Sequence, residues 1–91
     1  MEYIIIEIVE NLDPDIFYGI EFVKRVVRVE AESEREAVDK VAQQYIEKGK
    51  IRGYTYSGEK TYCSYGGMYS RFKWVVLTPE EVEKGYELEV A

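Results

Sequence analysis

Hydrophobic and polar residues alternate along this chain with two different periods, and each change of period marks an element. Tyr3 to Val9 alternates as a strand, with Ile4, Ile6 and Ile8 on one face and Tyr3, Ile5, Glu7 and Val9 on the other. The second face is apolar enough to need a cover. Asn11-Leu12-Asp13-Pro14-Asp15 has the chemistry of a turn, because Asx side chains cap local backbone and Pro14 fixes φ. Ile16, Phe17 and Tyr18 follow, and such large apolar groups in a loop are expected to tuck under the sheet edge. Gly19 to Ala31 reads as a long second strand. Val23, Val27, Val29 and Ala31 share one face, interrupted by Arg25, while Lys24, Val26, Arg28 and Glu30 share the other.

The period then lengthens. Ser33-Glu34-Arg35-Glu36 has the form of a capping box, in which a hydroxyl and a carboxylate satisfy each other's backbone donors. Ala37, Val38, Val41, Ala42, Tyr45 and Ile46 make one apolar stripe, and Gly49 suits the position just past the end, so a helix is expected to run to about Lys48.

Ile51 to Leu77 returns to strand character and holds Tyr54, Tyr56, Tyr62, Tyr65, Tyr69, Phe72 and Trp74. Ser57-Gly58-Glu59-Lys60 fits a tight hairpin with glycine first, and Gly66-Gly67 fits a second turn or a bulge. With two turns, alternation gathers Tyr54, Tyr56, Cys63, Tyr65, Met68, Phe72, Trp74 and Val76 on a core face, with Arg52 at its end. Thr55, Tyr62, Ser64, Tyr69, Arg71, Lys73, Val75 and Leu77 fall on the other. Thr78-Pro79-Glu80-Glu81 is a second capping box with proline in the first turn; it opens a short helical turn that stops at Gly85. Glu87 to Val90 alternates, and either returns as an edge strand or frays.

The expected fold is α+β: a single domain over residues 1–91, in the order β-β-α-β-β-β. Its mainly antiparallel sheet carries one long amphipathic helix on one face and a short C-terminal helical turn. One helix covers one face. The uncovered face draws on Ile5, Val9, Val26, Tyr62, Tyr69, Val75 and Leu77, and an apolar face of that kind marks an interface.

Composition narrows the chemistry. The chain has 91 residues and no histidine, which removes imidazole catalysis and histidine metal sites. Its one cysteine, Cys63, has no imidazole to activate it and no partner for an internal disulfide. Carboxylates are many but cap turns and helix starts, and no lysine has an acid two positions before it as a D/E-x-K metal-nuclease site requires. Ser64-Tyr65-Gly66-Gly67 lacks the spacing of a phosphate loop. Neither a cofactor nor a metal is expected, and catalysis is not. MEYIIIEIVE lacks the features of a signal peptide and no apolar run spans a bilayer, so an intracellular, cytoplasmic protein away from membranes is expected. Few amides and many Glu, Lys, Val, Ile and Tyr suggest a thermophilic source.

The net charge is −6, yet Lys50, Arg52, Lys60, Arg71 and Lys73 make the aromatic stretch a basic island. Lys60, Tyr62, Tyr69, Arg71 and Lys73 form the one candidate site, with two uses. Rings and cations can stack bases and hold phosphates, as on single-strand-binding platforms. The same residue types supply protein–protein hot spots. Overall acidity favours the second. The expectation is a small non-catalytic interaction protein, homodimeric through an uncovered aromatic sheet face, of the kind an archaeal virus or accessory system uses to bind a host factor. A single-stranded nucleic-acid binder is the alternative.

Overall fold

The computed structural model describes residues 1–67 and 69–85. It is a small α+β domain: one five-stranded antiparallel sheet and two helices. The strands are β1 (Glu2–Asn11), β2 (Glu21–Glu30), β3 (Gly53–Gly58), β4 (Thr61–Tyr65) and β5 (Ser70–Leu77), and the helices are α1 (Glu34–Glu47) and α2 (Pro79–Glu83). Spatial order departs from chain order. It runs β2-β1-β5-β4-β3, so β5 sits between two hairpins formed earlier in the chain. The edge strand or frayed end expected at Glu87 to Val90 lies outside the described residues, as does Met68.

α1 forms where the pattern placed it. Ser33 Oγ accepts from the Glu36 backbone N–H at 3.2 Å, while the Glu36 carboxylate turns to the N–H of Glu32. Gly49 adopts φ 71 and donates to the Ile46 carbonyl, closing the helix in the left-handed conformation that glycine takes without strain. Ala37, Val38, Val41, Ala42 and Tyr45 are buried against the sheet with Ile46 half-buried beside them. Each large apolar side chain so covered contributes roughly 1.5–3 kcal/mol. α2 is a second helix and not merely a turn: Thr78 and Glu81 complete a reciprocal capping box around Pro79. It touches β1, and Glu81 reaches across to Lys60 in the β3–β4 turn.

Register decides the faces. β1 presents Tyr3, Ile5, Glu7 and Val9 to α1, and Ile4, Ile6 and Ile8 to the opposite, open side. Ile5 and Val9, expected on the uncovered face, therefore belong to the core. In β2 a bulge opposite Glu7 and Ile8 inserts Lys24. Arg25 pairs with Glu7 and Val23 with Ile8, which moves Val23 to the open side, whereas uninterrupted alternation put it with Val27 and Val29.

The β3–β4 hairpin departs from expectation in the same way. Its turn is Glu59-Lys60, with φ 51 and 61, and a bulge lies between Tyr56 and Gly58. Tyr56 consequently faces Tyr62, and Tyr62 faces Trp74. The longer β4–β5 connection shifts register again by an odd number, so β3 and β5 keep their expected relation and β4 alone is inverted. Tyr62 and Ser64 point to the core; Cys63 and Tyr65 leave it.

Candidate interaction surface

At the centre of the α1-side core lies a carboxylate. Glu7 has no solvent exposure, and four hydrogen bonds reach it. Arg25 donates from Nε at 2.9 Å and from its terminal nitrogen at 3.4 Å. Tyr45 Oη and Trp74 Nε1 each donate at 2.9 Å. Burial pushes the carboxyl up, but the hydrogen bonds from Arg25, Trp74 and Tyr45 outweigh it and hold Glu7 below the usual carboxylate value. Tyr45, Phe72 and Trp74 stack around the group, and Lys24 lies over the Tyr45 and Phe72 rings. Every oxygen of Glu7 is occupied, which makes this a structural clasp between β1, β2, β5 and α1 and not a poised acid. Sequence reading had both halves of the signal, an acid on the apolar face of β1 and a base interrupting the apolar face of β2, but did not pair them.

The five residues singled out in the sequence do not assemble into one site. Tyr62 is buried, packed with Tyr54 and Tyr56 on the α1 side, so it is unavailable to stack a base. Tyr69 is exposed in the β4–β5 connection, where its carbonyl accepts from Leu12 N–H. Lys60 bonds Glu81 and holds that carboxyl below its usual value. Arg71 and Lys73 do lie together on the open side, but between two carboxylates: Arg71 is 3.3 Å from Glu10, and Lys73 bonds Glu21. The hydrogen bond to Glu21 raises the Lys73 pKa, a sign that its charge is already spoken for.

Among the described residues the open side is mainly aliphatic and charged, because the rings of Tyr54, Tyr56, Tyr62, Phe72 and Trp74 all lie on the α1 side. Its cross-strand rows are Arg28–Ile4–Leu77, Val26–Ile6–Val75–Thr61, Val23–Ile8–Lys73–Cys63 and Glu21–Glu10–Arg71. Ile4, Val75 and Leu77 are buried at the end where α2 lies. Toward β2 the cover runs out: Val23 and Val26 are 54% and 62% exposed.

That exposure continues around the end of the β1–β2 hairpin. Ile16, Phe17, Tyr18 and Ile20 are each more than half exposed and do not tuck under the sheet. The backbone explains the difference. Asn11 Oδ1 and Asp13 Oδ1 accept from the N–H groups of Asp13 and Asp15, and the Asn11 amide donates to the carbonyl of Ile16. These bonds fix a projecting tip, with Phe17 held at φ 47. On the α1 side of the same edge, Val9, Phe22, Lys24, Lys50 and Phe72 line a groove of about 460 Å³. No helix among the described residues is long and apolar enough to cross a membrane.

No protein-family model, curated protein or solved structure gives a significant match to this chain.

Proposed function

We propose that this protein is a small non-catalytic protein–protein interaction module that works as a homodimer. The observation that carries the reading is the apolar exposure gathered at the β2 edge, at Phe17, Tyr18 and Ile20 of the hairpin tip, at Phe22 on the α1 side and at Val23 and Val26 on the open side. Apolar surface of this extent on one edge of a small domain favours association, and two-fold pairing of identical copies is the commonest form that association takes. The Glu7 clasp supports a non-catalytic role, since its oxygens are all engaged. The single-stranded nucleic-acid alternative loses support from the same geometry. Its best ring is buried, and Arg71 and Lys73 already face Glu10 and Glu21.

Molar mass from light scattering coupled to size exclusion tests the reading, at low and high salt and with a short mixed-sequence oligonucleotide. Twice the chain mass at both salts, unchanged by oligonucleotide, is the expected result. A monomer that takes up oligonucleotide at low salt and releases it at high salt would reverse the assignment, because phosphate contacts are salt-sensitive and apolar ones are not.

A further inference from the structure

The outer edge of β2 carries a pattern that selects its own partner. Along the strand, Phe22, Lys24, Arg25, Val27 and Val29 face α1, while Glu21, Val23, Val26 and Arg28 face the open side. The bulge breaks regular alternation by placing Lys24 and Arg25 on one side, so the sequence of faces is symmetric about the midpoint between them. An antiparallel partner must match face for face, since opposed residues share a side of the sheet. A regular strand laid along this edge would match on one side of the bulge and mismatch on the other. A second β2 carries the same bulge, and an antiparallel two-fold centred between Lys24 and Arg25 matches throughout. It sets Val23 against Val26 on the open side, Phe22 against Val27 on the α1 side, and Glu21 against Arg28, an acid and a base that each also bond within their own chain, to Lys73 and Glu2.

Backbone direction agrees. Ala31 N–H donates to the Met1 carbonyl, and Asn11 N–H to that of Ile20. Antiparallel peptide groups alternate between the two sides of a strand, so those of Glu21 and Val23 before the bulge, and of Val26 and Arg28 after it, turn outward. The same register opposes outward groups to outward groups at both pairs. Lys40 Nζ bonds the Glu30 carbonyl at 2.6 Å, which closes the edge just beyond this span. The cations nearest the axis are engaged within their own chain, Arg25 by Glu7 and Lys24 over Tyr45.

We infer that a second copy of this chain docks on the β2 edge in this register, joining two sheets into one of ten strands with the Val23 and Val26 side chains of both copies forming a single stripe. The bulge, which elsewhere protects an edge from promiscuous pairing, here admits the one strand that shares the defect. The inference rests on the homodimer reading and specifies its geometry.

Cysteine cross-linking in a Cys63→Ser background tests it. Val23→Cys with Val26→Cys places two thiols across the axis at a Cα separation of about 5.5 Å, within the range a disulfide spans. The expected result is a covalent dimer on a non-reducing gel, while Val23→Cys alone and Val26→Cys alone remain uncrosslinked. A companion series uses charge: Glu21→Arg and Arg28→Glu each weaken the dimer about ten-fold or more, and the two together restore it. Tryptophan emission of each variant confirms folding. A dimer by light scattering that neither cross-links nor responds to the charge exchange overturns this register and leaves the homodimer reading standing. A monomer overturns both.

Discussion

Glu7 Oε1 accepts a hydrogen bond from Trp74 Nε1 at 2.9 Å across 67 residues of chain, inside a core with no solvent at the carboxylate. The bond ties β1 to β5 while Arg25 ties β1 to β2, so one side chain fastens the central strands to each other and to α1. Removing one partner of a buried ion pair costs about 3–5 kcal/mol because the other is left uncompensated. Arg25→Ala is therefore expected to lower unfolding free energy by roughly 3 kcal/mol, because it leaves a fully buried carboxylate without its cation, with Glu7→Gln milder, since the Arg25 side chain it leaves behind is 37% exposed. Urea titration followed by Trp74 emission measures both. Equal, sub-kilocalorie effects would show that the clasp is incidental.

Acid should weaken the fold through the same group. The folded Glu7 carboxyl lies below its ordinary value of 4.5, so the native state holds fewer protons than the unfolded chain. Its contribution is complete above about pH 4.5 and is lost as pH falls through the depressed folded value. Glu81, lowered by its bond to Lys60, acts in the same direction. Melting temperature recorded from pH 7 downward should fall less steeply in Glu7→Gln than in the parent; parallel curves would contradict the assignment.

Tyr54 should ionise late. Burial, then its 2.8 Å hydrogen bond to Asp39, raise the phenol to about 12. Stability linked to it is full below pH 10 and lost as pH rises through about 12. Phenolate absorbance in the near ultraviolet should show a late phase missing from Tyr54→Phe and moved part of the way back by Asp39→Asn, burial being the larger cause.

The β3–β4 turn holds two non-glycine residues in the left-handed region, Glu59 at φ 51 and Lys60 at φ 61. Asparagine tolerates that region best among residues with a side chain. Glu59→Asn is exposed and leaves the Lys60–Glu81 bond in place, so it should stabilise the domain by about 0.5–1 kcal/mol. A rise in the urea midpoint at unchanged slope would confirm it, and a fall would mean that Glu59 does more than turn the chain.

What could be read from the sequence divides along a physical line. α1 was legible from its cap at Ser33 to its stop at Gly49 because capping and a 3.6-residue stripe are local properties. The pairs Tyr54 with Tyr56 and Phe72 with Trp74 were placed on the correct face for the same reason. Tyr62 was not, since its side depends on whether one residue is added at a bulge near Ser57, and one residue inverts a strand. Val23 moved sides through the Lys24 bulge in the same fashion. The candidate cluster dissolved because its neutralising acids, Glu10 and Glu21, come from β1 and β2 and approach Arg71 and Lys73 only once β5 is in place.

The central position of β5 also governs the order in which this fold can be made. During synthesis, β1 with β2 and β3 with β4 can close as separate hairpins, yet they share no ladder with each other. The strand that joins them, Ser70–Leu77, leaves the ribosome after both. Until then Glu7 has no indole to bind and the nascent chain holds two loose ribbons, so cooperative stability arrives in one late step, when Trp74 slides between them.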